Sequence, residues 1–243
     1  MEPFDLREFQ DLNLGEGVEG MADLYLKVAK AAEKLVEASY AEASGFKAGD
    51  EKTAYCRYEF PIDIELIARY LEMTIEKKSL NREEPRSFSR ILGIITSQNG
   101  RAVVVVDNEV SYKTQRYTIA NAIGRFLLNQ TETSLKCSYA IPLIPQSMEE
   151  IAADVIALFL LLPMKAFKDE FMHYLERCGN DRPLDVDAWL VYLGNKSQVT
   201  QFNLAIGYQQ MKQVLCYQRQ SDFKNSGFDI SIIFDDPYDI IYA

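Results

Sequence analysis

At 243 residues, 48% of them apolar and 12% aromatic, the chain can bury one sizeable core and has the make-up of a globular protein, not of a disordered or collagenous one. Its net charge of −10 sits at the two ends: residues 1–20 carry six acids against Arg7, residues 221–243 carry five against Lys224, and the middle is close to neutral. That distribution leaves no basic stripe for phosphates, so nucleic acid is not expected as a partner, and the longest apolar run, Ile156–Pro163, is too short to span a bilayer.

No basic leader followed by an apolar run opens the chain, and a cytoplasmic location is the expectation. Cys56, Cys137, Cys178 and Cys216 are scattered, with no C-x-x-C pair, and His173 is the only histidine. Neither a disulfide framework nor a Cys/His zinc site is expected from that spacing.

Residues 1–20, acidic with Gly15, Gly17 and Gly20, read as poorly ordered or loosely docked. From Met21 to about Ser44, Leu24, Val28, Leu35 and Val36 recur at helical spacing among lysines and glutamates. After a glycine-flanked break at 45–50, Pro61 opens a second predicted helix through Leu71, proline suiting a first turn whose N–H groups lack partners. The charged stretch from Ile75 to Arg90 reads as an exposed loop. Ile91–Thr96 and Ala102–Val106 flank Asn99-Gly100, a strong tight-turn dipeptide, and predict a β-hairpin; Val103–Val106 is apolar without alternation, so both its faces are expected to be covered. Helices are predicted at Tyr112–Asn129, Ser147–Leu162, Lys165–Cys178, Val186–Leu193 and Val199–Tyr217.

Residues 116–128 read Arg-Tyr-Thr-Ile-Ala-Asn-Ala-Ile-Gly-Arg-Phe-Leu-Leu. Taken alone this is an amphipathic helix with Ile119, Ile123, Phe126 and Leu127 inward. Its surroundings add to it: Pro61-Ile-Asp-Ile-Glu-Leu-Ile-Ala-Arg-Tyr-Leu before the hairpin, and Glu150-Ile-Ala-Ala-Asp154 running into Leu160-Leu-Leu-Pro163 after it. In joint order these segments resemble the ImmA/IrrE family of bacterial zinc metallopeptidases over roughly residues 61–170. The resemblance implies an α+β, zincin-like domain over 21–180 with a small sheet and an N-terminal helix, followed by a helical unit at 181–220 and an acidic, hydrophobic tail at 221–243.

Family members carry His-Glu-x-x-His, two imidazoles one turn apart that ligate zinc and a glutamate that activates its water. The resemblance places the first histidine at Asn121, the glutamate at Ala122 and the second histidine at Arg125, so the motif is degenerate. It places the third ligand at Glu150, with Glu149 as the alternative, and a supporting acid at Asp154. The other reading of these acids is a helix N-terminus favoured by the macrodipole. Arginine stays protonated and offers only donors, so no zinc and no peptidase chemistry are expected. An Arg125–Glu150 ion pair is predicted in the metal's place, with Asp154 as a further candidate partner, and if buried its loss from one side should cost about 3–5 kcal/mol.

The resemblance thus implies a catalytically inactive relative, not an enzyme, that binds a protein or peptide in the regulation of a bacterial mobile element or stress response, a helix-turn-helix repressor being one candidate partner. Two alternatives stand beside it: an active metallopeptidase or other hydrolase with an atypical site, and a transcriptional regulator acting through residues 184–215. There Gly194-Asn-Lys-Ser is the expected turn, and Gln201, Asn203, Gln209, Gln210 and Lys212 would be the reading residues. Residues 228–243 alternate apolar and polar residues, then cluster acids around Pro237, and read as a docked terminal strand, with occupation of the cleft or docking on a partner by strand addition as the alternatives.

Overall fold

The computed structural model describes residues 5–10, 18–45, 58–80, 89–130, 133–138, 147–178 and 185–219. A single helical turn, α1 (Arg7–Gln10), precedes the long helix α2 (Val18–Ala43), which begins inside the segment read as poorly ordered. Its inward face is Leu24, Val28, Ala32, Leu35 and Val36, all buried at the spacing seen in the sequence.

The next helix, α3 (Ile64–Tyr70), starts later than Pro61. Asp63 caps it, its Oδ1 accepting from the Leu66 N–H at 3.0 Å, so the carboxylate rather than the proline ring sets the first turn. The stretch expected to be a loop from Ile75 onward instead forms β1 (Thr74–Lys78). It pairs in parallel with β3 (Arg101–Asp107) at one edge of the sheet, with Thr74, Lys77 and Lys78 facing solvent. An edge strand needs few apolar residues, which is why its charge disguised it.

The hairpin is β2 (Ser89–Gln98) and β3 (Arg101–Asp107), antiparallel, with Gln98 opposite Arg101. Asn99 and Gly100 both take positive φ, 53° and 76°, as a two-residue hairpin turn of matching twist requires. Val103, Val104 and Val106 are buried in the β3 register, so the unbroken apolar run lies between covered faces. A fourth strand, β4 (Thr133–Ser138), which the sequence reading missed, pairs antiparallel with β2 and gives the order β1-β3-β2-β4.

Helix α4 (Tyr112–Leu127) packs on β2 and β3 and also on α5 (Met148–Leu161). Every residue from Thr118 to Gly124 is buried, so this middle stretch of α4 has no solvent face. Ser147 caps α5 in a reciprocal capping box with Glu150, and α5 is buried almost continuously from Ala152 onward. Around this centre α5 meets α2 and α8 (Gln201–Arg219), while α6 (Met164–Cys178) and α7 (Val186–Ser197) complete the described chain. Trp189 of α7 inserts between Phe167, Phe171 and Tyr174 of α6, with ring centroids 5.0–5.8 Å apart.

The expected turn at Gly194–Ser197 is instead the last turn of α7, and the break falls at Gln198, which is left-handed. A Cβ on Gly194 would sit 3.4 Å from Leu204 of α8, an ordinary contact distance, and the helix runs through the glycine. The chain is therefore a mixed α+β protein, and no helix among the described residues is long and apolar enough to cross a membrane. The tail at 221–243 lies outside the described residues.

Candidate functional site

Tyr117, Asn121 and Arg125 fall at i, i+4 and i+8 on α4, and Glu150 and Asp154 fall at i and i+4 on α5, so each set lines one helix face. The two faces meet because the backbones come close at Gly124, where an added Cβ would lie 2.6 Å from the Ala153 carbonyl oxygen. Of the residues singled out in the sequence, Asn121, Arg125, Glu150 and Asp154 come together there; Ala122 is buried in the core cluster beside them.

Asp154 is the hub. Its Oδ1 accepts from the Tyr117 hydroxyl at 2.8 Å and from the Asn121 amide nitrogen at 2.6 Å. Burial pushes its pKa above the ordinary carboxylate range, outweighing the Tyr117 bond, the nearby Arg125 charge and the Asn121 bond, all of which favour the anion. Burial also drives the Tyr117 hydroxyl well above its usual pKa, with the Asp154 charge adding to the effect, so Tyr117 is a neutral donor.

Arg125 completes the chain of contacts. Its Nε donates to Asn121 Oδ1 at 3.1 Å and its Nη1 to Gln130 Oε1 at 3.4 Å. The contact with Glu150 is longer, 3.7 Å from Nη2 to Oε1, and the Glu150 side chain is 45% exposed against 12% for Arg125. The condition of burial attached to the predicted ion pair is therefore not met on the glutamate side. Glu150 is also engaged in its own helix cap, Oε2 accepting from the Ser147 N–H at 3.2 Å. Glu149 is exposed, and its own backbone N–H and the Ser147 side chain hold its carboxyl below the usual range.

Tyr117, Gln130 and Ser147 are the members that the sequence reading did not select. Tyr117 was findable, one turn before Asn121 on the same face; Gln130 acts from beyond the helix end, where periodicity carries no information. His173 is exposed on α6, with Nδ1 4.0 Å from Glu176, and takes no part. Among the described residues no three of His, Cys, Asp and Glu gather into a set that could hold a metal ion. The arrangement is a set of donors and acceptors linking two helices.

In the C-terminal pair, Gln201 is exposed, Asn203 and Gln209 are half-buried and Gln210 is buried, so these amides do not share one solvent face; the Lys212 side chain lies outside the described residues. Gly207 seats α8 on Leu158 and Leu162 of α5. Compared with known protein families, curated proteins and solved structures, the chain matches none.

Proposed function

We propose that the chain is a non-catalytic, zincin-like relative of the ImmA/IrrE peptidases that acts by binding a protein or peptide partner in bacterial regulation. The observation that carries this reading is the occupation of the inferred metal position by a bonded set: Asn121 gives its amide nitrogen to Asp154 and its oxygen to Arg125. Catalytic zinc asks for about three lone-pair donors and an open coordination position. Here the imidazole positions hold an amide committed on both atoms and a guanidinium that only donates, and the general-base position holds Ala122, which cannot carry a proton. The residues present do not fit zinc.

A recognition surface can outlast the loss of a metal, because shape and backbone groups do not depend on the ligands. The two helices keep their close approach through Gly124, with side-chain bonds bridging them. The test is elemental analysis of the purified full chain after dialysis against a trace of zinc, together with a broad peptidase screen. Neither stoichiometric metal nor cleavage is expected. Retained zinc at one per chain, or peptide cleavage that a chelator abolishes, overturns the proposal.

A further inference from the structure

Among the described residues four buried side-chain atoms have no hydrogen-bond partner: Arg116 Nε, Trp189 Nε1, Tyr208 Oη and Gln210 Oε1. Trp189 belongs to α7, and Tyr208 and Gln210 to α8. Arg116 belongs to α4, but its guanidinium reaches out to α7, Nη2 lying 3.4 Å from the Ser197 carbonyl oxygen. Every one of the four thus lies on the C-terminal helical pair or against it. The contrast with the α4–α5 contact is sharp, for there buried Asn121 uses both of its amide atoms.

A polar atom removed from water without a new partner weakens the contact that buries it. Besides that buried Arg116 contact, the hydrogen bonds that hold the pair are part-buried. Lys113 Nζ donates to the Gly194 carbonyl at 3.1 Å, the Tyr192 hydroxyl donates to Glu170, and Lys196 lies 3.6 Å from the same carboxylate with half its side chain in solvent. Arg116 and Lys113 face the C-terminal end of α7, where the helix dipole supplies only a partial negative charge, and no ion pair within the described residues joins Arg116 to a carboxylate. α7 and α8 touch each other through Gly194 and Leu204, and α8 also rests on α2 and α5.

We infer that α7 and α8 form a displaceable arm that leaves the body as one unit while α4, α5 and the sheet stay folded, uncovering the apolar surface of α5 around Leu158 and Leu162. This rests on the orphaned atoms and stands whether or not the chain is a pseudoprotease. The experiment is hydrogen exchange by mass spectrometry on the full chain across low urea concentrations. Peptides from α7 and α8 exchange together, and about tenfold or more faster than those from α4 and α5. Two variants, Tyr208→Phe and Gln210→Met, delete orphaned atoms with little change of shape, and each slows the exchange of the arm by about tenfold while leaving α4 and α5 unmoved. Exchange of all four helices at one common rate overturns the inference. So does faster exchange of the arm in Tyr208→Phe, since the hydroxyl would then be holding the arm in place.

Discussion

Gly124 of α4 and Ala153 of α5 meet backbone against side-chain position: a Cβ on residue 124 would stand 2.6 Å from the Ala153 carbonyl oxygen and 3.2 Å from its Cα. The neighbour is main chain within a buried helix and cannot rotate aside. Alanine in a helix interior is ordinarily favoured over glycine by about 1 kcal/mol. Here the overlap wins, and Gly124→Ala is expected to lower stability by about 1–3 kcal/mol. A urea midpoint at or above that of the parent would show that α5 can move away without cost. The same variant should disturb the Asn121–Asp154 bond, since those residues flank the contact on either helix.

That contact also marks where sequence reading stops. Local chemistry was legible at the hairpin, where Asn99-Gly100 states its turn and takes two positive φ angles. β1 was not, because Glu76, Lys77 and Lys78 on an edge strand look like a loop until β3 is placed beside them. Helical spacing put Glu150 and Asp154 on one face and the family resemblance set Asn121 and Arg125 against them, yet neither says which side chain reaches which. Arg125 lies within ion-pair range of Glu150, the partner predicted for it, whereas the short bonds to Asp154 come from Tyr117 and Asn121. Gly194 reads as a turn residue because glycine so often marks turns, but α7 continues through it to Ser197 and breaks at Gln198.

Asp154 gives the fold a pH dependence of definite sign. Burial holds its folded pKa above that of the unfolded chain, so between the two values the folded state binds the extra proton. The associated stability is fully present below the unfolded carboxylate pKa and is lost as pH rises through the folded one. Asp154→Asn keeps an Oδ1 acceptor for Tyr117 and Asn121 but cannot ionise. The variant is expected to be more stable than the parent at neutral pH, with the gap closing as the solution is acidified toward the ordinary carboxylate range. Denaturation curves recorded at several pH values check this, and a gap that widens on acidification contradicts it.

Gly100 offers a glycine test of the opposite kind. Nothing lies within 4 Å of a Cβ built there, so no packing opposes a side chain, but its φ of +76° does. Gly100→Ala is expected to cost about 1 kcal/mol through backbone strain alone. The loss should be independent of that in Gly124→Ala, so the double variant sums the two single ones. A neutral Gly100→Ala in chemical denaturation would mean that the hairpin turn changes type at no cost.

The strongest discrimination within the site comes from treating the two ends of the predicted ion pair separately. Were the Arg125–Glu150 contact the main bond of the α4–α5 junction, removing either partner would cost much the same. The geometry argues otherwise: Glu150 is 45% exposed and 3.7 Å away, a situation in which such pairs contribute about 0–1 kcal/mol. Glutamine can also keep its place in the capping box with Ser147, so Glu150→Gln is expected to cost less than about 1 kcal/mol. Arg125 is the side chain that fixes the Asn121 amide, and Arg125→Ala leaves the buried Asn121 oxygen without its donor. That change is expected to cost about 2–3 kcal/mol. A double-mutant cycle between Arg125 and Asn121 should then give a larger coupling than one between Arg125 and Glu150. Equal couplings would return the glutamate to the centre of the junction and make the asparagine a bystander.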